Sequence, residues 1–335
     1  MEATWSHLFL FIKLCDIRPS NDLTAEWVAL LEEHHAHSLP FTLWPLTYRT
    51  SVVTASSAVE SPHEFRASDD VNVRFYRSND VLVICTSSPD ELLSKYSPHA
   101  QEDYCHRMAI FNTTFGETTF RSHKSIHRYD PREILVPCDF FQTYCEARTV
   151  IMRELIKQLE ESDREGVLTS IVCTGFRAGA IQAVYLAYDL AREFEEQRRF
   201  YAEPPTDGSN PDVSDSAIPN TIRVDCFTFG EPRAGNRAFW DSFDSIVGSH
   251  TRVAHTRDSI VDSNFHDCTV SSHDVIYVDD LGPIPRTSCA SFWHLTSELF
   301  QRIFVRIIPK SRFNYVDVST YGRSIEKAVR IDRIP

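Results

Sequence analysis

The stretch that most constrains the fold runs from Ser170 to Tyr188. An apolar strand, Ile171-Val172-Cys173, meets a sharp turn, Thr174-Gly175-Phe176-Arg177-Ala178-Gly179-Ala180, and a helix rich in alanine follows. This is the outline of a nucleophile elbow, in which glycines two places before and two places after the central residue let a strand, a turn and a helix pack tightly enough to hold that residue in a strained backbone conformation. The central residue of such an elbow is ordinarily a serine. Here it is Arg177, whose guanidinium carries neither hydroxyl nor thiol and cannot attack a carbonyl.

Downstream, the strand Val224 to Phe229 runs into Gly230-Glu231-Pro232-Arg233-Ala234-Gly235-Asn236, then Phe239-Trp240, then Arg252-Val253-Ala254-His255-Thr256-Arg257-Asp258. Over about residues 70 to 300 the chain resembles the class 3 lipases, the fungal-type triacylglycerol lipases, whose members carry a Gly-x-Pro-Arg-x-Gly-Asn turn and a catalytic Asp on the loop after the next strand. Val81 to Ser88 resembles the family strand that ends in an oxyanion-hole Ser or Thr, and Val136 to Glu154 the segment before the long helix. The resemblance implies an α/β-hydrolase fold with a mainly parallel central sheet and helices on both faces.

By the same resemblance, Asp258 and His294 are a retained catalytic pair, with His273 as the alternative histidine. Ser87 and the backbone N–H of Ala178 are the oxyanion donors, and Arg177 stands at the nucleophile position. Two departures from the family pattern stand near the turn: Cys85-Thr86 replaces the usual Arg-Gly before Ser87, and Ala180 stands where another Gly is general. In a working member the histidine takes the serine proton, the carboxylate orients the imidazole, and backbone amides bind the oxyanion. Loss of the serine costs such a triad roughly a million-fold in turnover.

Three functions follow as expectations: a non-catalytic binding or scaffold protein, an ester or lipid hydrolase using another nucleophile or water, and a structural protein that reuses the fold. Arg177 needs an anion if it is enclosed, and two are open to it: Asp258, or an external carboxylate, phosphate or fatty acid. A protein partner is the further expectation. No cofactor is implied.

At 335 residues, 42% hydrophobic and 24% charged, the chain has ample material for a core. The organisation expected is an N-terminal helical or extended segment, 1–70, packed on a lipase-like domain, 71–335, with a Pro- and Gly-marked loop insertion at 201–220. Within 1–70 a helix is predicted over Thr24 to His37. Strands are predicted over Val71 to Arg77 and Asp80 to Thr86, and a helix over Ala147 to Glu161. The polar stretch between Pro89 and Pro131 is the natural place for a lid remnant.

A net charge of −13, from 34 Lys plus Arg against 47 Asp plus Glu, disfavours non-specific attraction to nucleic acid. The longest apolar run near the start, Leu8 to Ile12, falls short of a signal-peptide core, and no run is long enough to span a membrane. The nine cysteines are an odd number without Cys-x-x-Cys spacing, which signals neither a disulfide framework nor a zinc site and points to a reducing, cytoplasmic location. Adjacent histidines such as His34 and His35 face different ways on a helix, and the spacing among His99, His106, His123 and His127 is irregular. No metal is expected at either group.

Overall fold

A computed structural model describes residues 5–16, 72–77, 81–88, 108–111, 122–123, 132–165, 168–202, 222–258, 260–261, 275–280, 282–283 and 316–331. Seven strands form the central sheet: β1 (Asn72–Arg77), β2 (Val81–Ser87), β6 (Ser170–Phe176), β7 (Arg223–Phe229), β8 (Ser249–His255), β9 (Val275–Asp279) and β10 (Gly282–Pro283), in the order β1-β2-β6-β7-β8-β9-β10. The five inner strands run parallel and both outer ones antiparallel. A parallel sheet covered on both faces needs strands that are apolar on both faces. The inner strand β2 has this character, with Val81, Leu82, Val83, Ile84 and Cys85 all buried.

Alternation along the strands divides the core. Leu82, Ile84, Ile171, Cys173 and Cys226 face a layer built from the helices α2 (Cys138–Glu165), α3 (Ala178–Ala202) and α4 (Arg237–Ile246). Val83, Cys85, Val172, Phe227, Phe229 and Val253 face the opposite layer, where α1 (Trp5–Asp16) contributes Leu8, Phe11 and Leu14 and α5 (Val318–Ile331) contributes Tyr321 and Ile325. The helix expected over 24–37, and the histidines within it, lie outside the described residues. A different helix, α1, covers this face of the sheet, and its sequence gave no amphipathic signal because Leu8 to Ile12 are buried on every side.

Helix α2 is longer than its periodicity indicated, and α3 runs far beyond the elbow. Helix α2 starts at Cys138 rather than near Ala147, because Phe140, Phe141 and Tyr144 extend the buried stripe by two turns. Helix α3 continues to Ala202, with exposed Arg192–Glu196 and Glu195–Arg199 pairs at i,i+4 spacing along its outer half. Residues 203–221, most of the expected loop insertion, lie outside the described residues.

The stretch between Pro89 and Pro131 is not polar throughout. β3 (Met108–Ile110) pairs antiparallel with β4 (Ser122–His123) and with β5 (Leu135–Pro137) to make a small second sheet. Phe111, just after β3, stands among Phe141, Tyr144, Tyr185, Tyr188 and Phe239 at ring-centroid distances of 4.8 to 6.4 Å. Burial of such rings is the largest apolar contribution available to this layer.

The turn Gly230 to Asn236 joins the two sheets. Asn236 caps α4, its Oδ1 accepting from the Phe239 N–H at 2.9 Å, while its backbone N–H donates to the Leu135 carbonyl and its Nδ2 donates to the Glu133 carbonyl. An asparagine is needed here because the same side chain must both accept at the cap and donate to the Glu133 carbonyl just ahead of β5.

Candidate functional site

Register brings the ends of β2, β6, β7 and β8 to one edge of the sheet: Thr86 stands opposite Gly175, Gly175 opposite Thr228, and Phe229 opposite Val253. Arg177 sits between β6 and α3 with φ at +51°, the only non-glycine with positive φ among the described residues. An L-residue holds this left-handed conformation only when its surroundings impose it. They do so through the Arg177 N–H, which donates to the Phe229 carbonyl at 2.9 Å, and through the Arg177 carbonyl, which accepts from the Ala180 N–H at 2.9 Å.

The flanking glycines are required by close approach. A Cβ on Gly175 would lie 2.4 Å from the Gly179 carbonyl oxygen, and one on Gly179 would lie 2.4 Å from the Thr86 carbonyl oxygen and 2.9 Å from Ser87 Cα. Thr86, the residue in the place of the usual glycine, is itself buried and donates from Oγ1 to the Gly179 carbonyl at 2.7 Å. The departure from the family pattern is thus accommodated, and it ties the end of β2 to the first turn of α3. Ser87 and Ala178 therefore flank the elbow, on β2 and α3 respectively.

Arg177 is 5% exposed. Its Nη2 donates to the Val316 carbonyl at 2.6 Å, its Nε lies 3.9 Å from Asp258 Oδ2, and its guanidinium carbon stands 5.0 Å from the centroid of the Phe176 ring. Asp258 follows β8, and its backbone N–H donates to the His255 carbonyl. The carboxylate accepts from Tyr321 Oη at 3.0 Å and from the Ile260 N–H at 3.3 Å. Tyr321 Oη also accepts from the His255 N–H at 2.9 Å.

Burial, and then the Asp258 charge, push the Tyr321 phenol well above its usual range. The phenol stays a donor at every ordinary pH. Gly230, with φ at +58°, completes the enclosure: a Cβ there would lie 3.1 Å from both Asp258 Oδ2 and Tyr321 Oη. His255 is held on the other side of this ring, its Nε2 3.5 Å from Asp280 Oδ1, and burial lowers its imidazole below the ordinary range.

Arg177, Ala178 and Ser87 are thus brought together at the elbow, with Asp258 against the Arg177 side chain. His273 and His294 lie outside the described residues. Val316 and Tyr321 were missed from the sequence. They are 139 and 63 positions away from the residues they bind, and the only local signal available was the Tyr321, Ile325, Ala328 spacing of a helical face. The arrangement positions a cation over a carboxylate and against a backbone carbonyl; no hydroxyl or thiol stands at the centre of the turn. Among the described residues no cluster of three or more His, Cys, Asp or Glu could hold a metal ion, and no helix is long and apolar enough to cross a membrane.

Residues 107–267 match the family model of class 3 lipases. The matched segment is just under half of the chain and contains the elbow, the Gly230 to Asn236 turn and Asp258. With the mostly parallel sheet, it gives the chain the α/β-hydrolase fold. Similar solved structures include lipase II from Rhizopus niveus (17% identity over 64% of this chain and 63% of that one, TM-score 0.38). Others are a lipase from Rhizopus microsporus var. chinensis (17% identity, 64% and 58%, TM-score 0.38) and the Rhizomucor miehei triacylglyceride lipase (14% identity, 63% and 62%, TM-score 0.37). The aligned part of the chain spans less than two thirds of each of these proteins. No curated protein matches the sequence.

Proposed function

We propose that this lipase-like α/β-hydrolase-fold protein acts by binding, as a scaffold or partner-binding module, and does not turn over esters through an acyl-enzyme. The observation that carries this reading is Arg177. The residue occupies the left-handed turn between β6 and α3, where an attacking hydroxyl would have to stand, and its buried guanidinium reaches the Val316 carbonyl and the edge of Asp258. In this reading Arg177 replaces the nucleophile, Asp258 with His294, or alternatively His273, is the remnant of the acid and base, and Ser87 and Ala178 are the remnants of the oxyanion donors.

The chemistry argues against turnover twice over. A guanidinium cannot form an acyl bond, and it fills the volume in which a tetrahedral intermediate would sit. The internal contacts favour Asp258 and the Val316 carbonyl as the partners of Arg177 over an added carboxylate, phosphate or fatty acid, since the internal groups are covalently present and exact no binding entropy.

An esterase assay with short-chain and long-chain nitrophenyl esters tests the reading. The expected result is hydrolysis at the solvent background, unchanged by His294→Ala. Saturable turnover that His294→Ala abolishes would sink it. Arg177→Ser is expected to remain inactive, because Thr86 and Ala180 still depart from the usual pattern around the turn and Tyr321 still holds the Asp258 carboxylate.

A further inference from the structure

The face of the sheet covered by α1 carries a pair of thiols. Cys15, in the last turn of α1, is partly exposed, whereas Cys85 in β2 is buried, and both are free. Their sulfurs are 3.6 Å apart, although 70 positions separate the two residues, and Cys15 Sγ also lies 3.9 Å from Thr174 Oγ1 in β6. Thr174 is the register partner of Cys85. The two sulfurs are therefore in van der Waals contact across a helix–sheet boundary, at the strand pair that leads into Thr86 and the elbow.

We propose that Cys15 and Cys85 form a redox modification site that closes to a disulfide under hydrogen peroxide and so fixes α1 covalently to β2. Closure needs the sulfurs to approach from 3.6 Å to a bond of about 2.05 Å, a movement within the reach of side-chain rotation and a small slide of the helix end. In the first step the Cys15 thiolate attacks one peroxide oxygen. The O–O bond breaks, Cys15 becomes a sulfenic acid, and the departing hydroxide takes up a proton to leave as water. In the second step the Cys85 sulfur attacks the Cys15 sulfur, the S–O bond breaks, and a second water leaves with the Cys85 proton. Two thiols have then lost two electrons and two protons, and one peroxide has been reduced to two waters.

Cys15 is the entry point because it is the less enclosed member of the pair. Cys173 and Cys226 make an instructive contrast: they too are register partners, across β6 and β7, but both are fully enclosed in the layer under α3. Burial, and then the neighbouring Cys85 thiol, push the Cys15 thiol well up. The reactive thiolate is scarce at neutral pH, so closure is slow there and speeds up as the pH rises. A bond that spans 70 positions removes much of the freedom of the unfolded chain, and the oxidised protein should melt higher.

The test is peptide mapping of the folded, reduced full chain after incubation with hydrogen peroxide and alkylation, without reductant. A linked peptide carrying Cys15 and Cys85, released by dithiothreitol and accompanied by a rise in melting midpoint of about 5 °C, is the expected result. Cys15→Ser and Cys85→Ser should each lose both the linked peptide and the rise. Absence of the linked peptide from the wild type overturns the proposal, as does its formation only in urea or a Cys15 that proceeds to sulfinic acid while Cys85 stays reduced. The wild-type map decides these outcomes even where a variant fails to fold.

Discussion

Between α2 and α3, Arg148 meets Asp189 with Nε at 2.6 Å and Nη2 at 3.3 Å from the two carboxylate oxygens, and Tyr144 Oη donates to the same carboxylate at 2.6 Å. At the elbow, Arg177 stops 3.9 Å from Asp258 and gives its short hydrogen bond to a backbone carbonyl instead. Both pairs are buried. The first has the forked geometry in which a guanidinium and a carboxylate satisfy each other, so it knits two helices together. The second brings groups together without matching them: the Asp258 carboxylate is already held by Tyr321 and the Ile260 N–H, and Arg177 is held by where its backbone must be. A seam that only has to be stable converges on mutual satisfaction. A site whose scaffold was laid down by a turn leaves its central side chain to find partners where it can.

The largest expected break of this contrast is Asp189→Ala. It leaves the Arg148 cation and the Tyr144 hydroxyl in the helix seam without their shared acceptor, and Glu193, 3.1 Å from Arg148 Nη2, can answer only part of the charge. A loss of about 4 kcal/mol in urea unfolding is expected. A loss under 1 kcal/mol would mean that water already replaces the carboxylate.

Arg177→Ala should cost about half as much, about 2 kcal/mol. It removes the bond to the Val316 carbonyl and a loosely placed charge, while Asp258 keeps Tyr321 and Ile260. An effect equal to that of Asp189→Ala would show that the elbow pair is as tightly matched as the seam. Arg177→Gly sharpens the point further: it removes the same contacts but relieves the left-handed backbone, so it should be more stable than Arg177→Ala by about 1 kcal/mol in the same unfolding series.

The smallest effect belongs to a third buried carboxylate, and it shows only in acid. Burial works to raise the Glu231 carboxyl, but His250, at 3.0 Å, together with Arg252 and Thr228, outweighs it and holds the group below its usual range. A depressed folded-state pKa contributes stability that is complete above the ordinary Glu range and lost as the pH falls through the folded value. Stability of the wild type should therefore fall more steeply than that of Glu231→Gln below about pH 4.5. Parallel acid profiles of the two would remove Glu231 from the account.

Legibility tracked the range of the interactions. The elbow was readable because the strand, the two glycines and the helix lie within about twenty residues and each has a local cause: an apolar run, a backbone contact with no room for a Cβ, and an alanine-rich face. The family resemblance of the turn and strand before Asp258 placed that residue on the loop after β8, which is where it lies. Helix α1 was hidden by its own burial, since a segment that is apolar on every side has no period to detect. Phe111 was hidden because its apolar run, Met108 to Phe111, is short and stands within a largely polar stretch, and the Cys15–Cys85 contact by sequence distance.

What the sequence by itself determined was the set of elements that meet at the elbow, because propensity, apolar periodicity and glycine spacing act over a few residues and survive without knowledge of the rest of the chain. Only the tertiary structure decided what surrounds Arg177: the Val316 carbonyl, the Tyr321 hydroxyl that holds Asp258, and the Thr86 hydroxyl that binds the elbow helix to β2. Those partners come from segments up to 139 positions away. Nothing in a local pattern encodes which distant backbone or side chain will be pressed against a buried cation once two faces of a sheet have been covered.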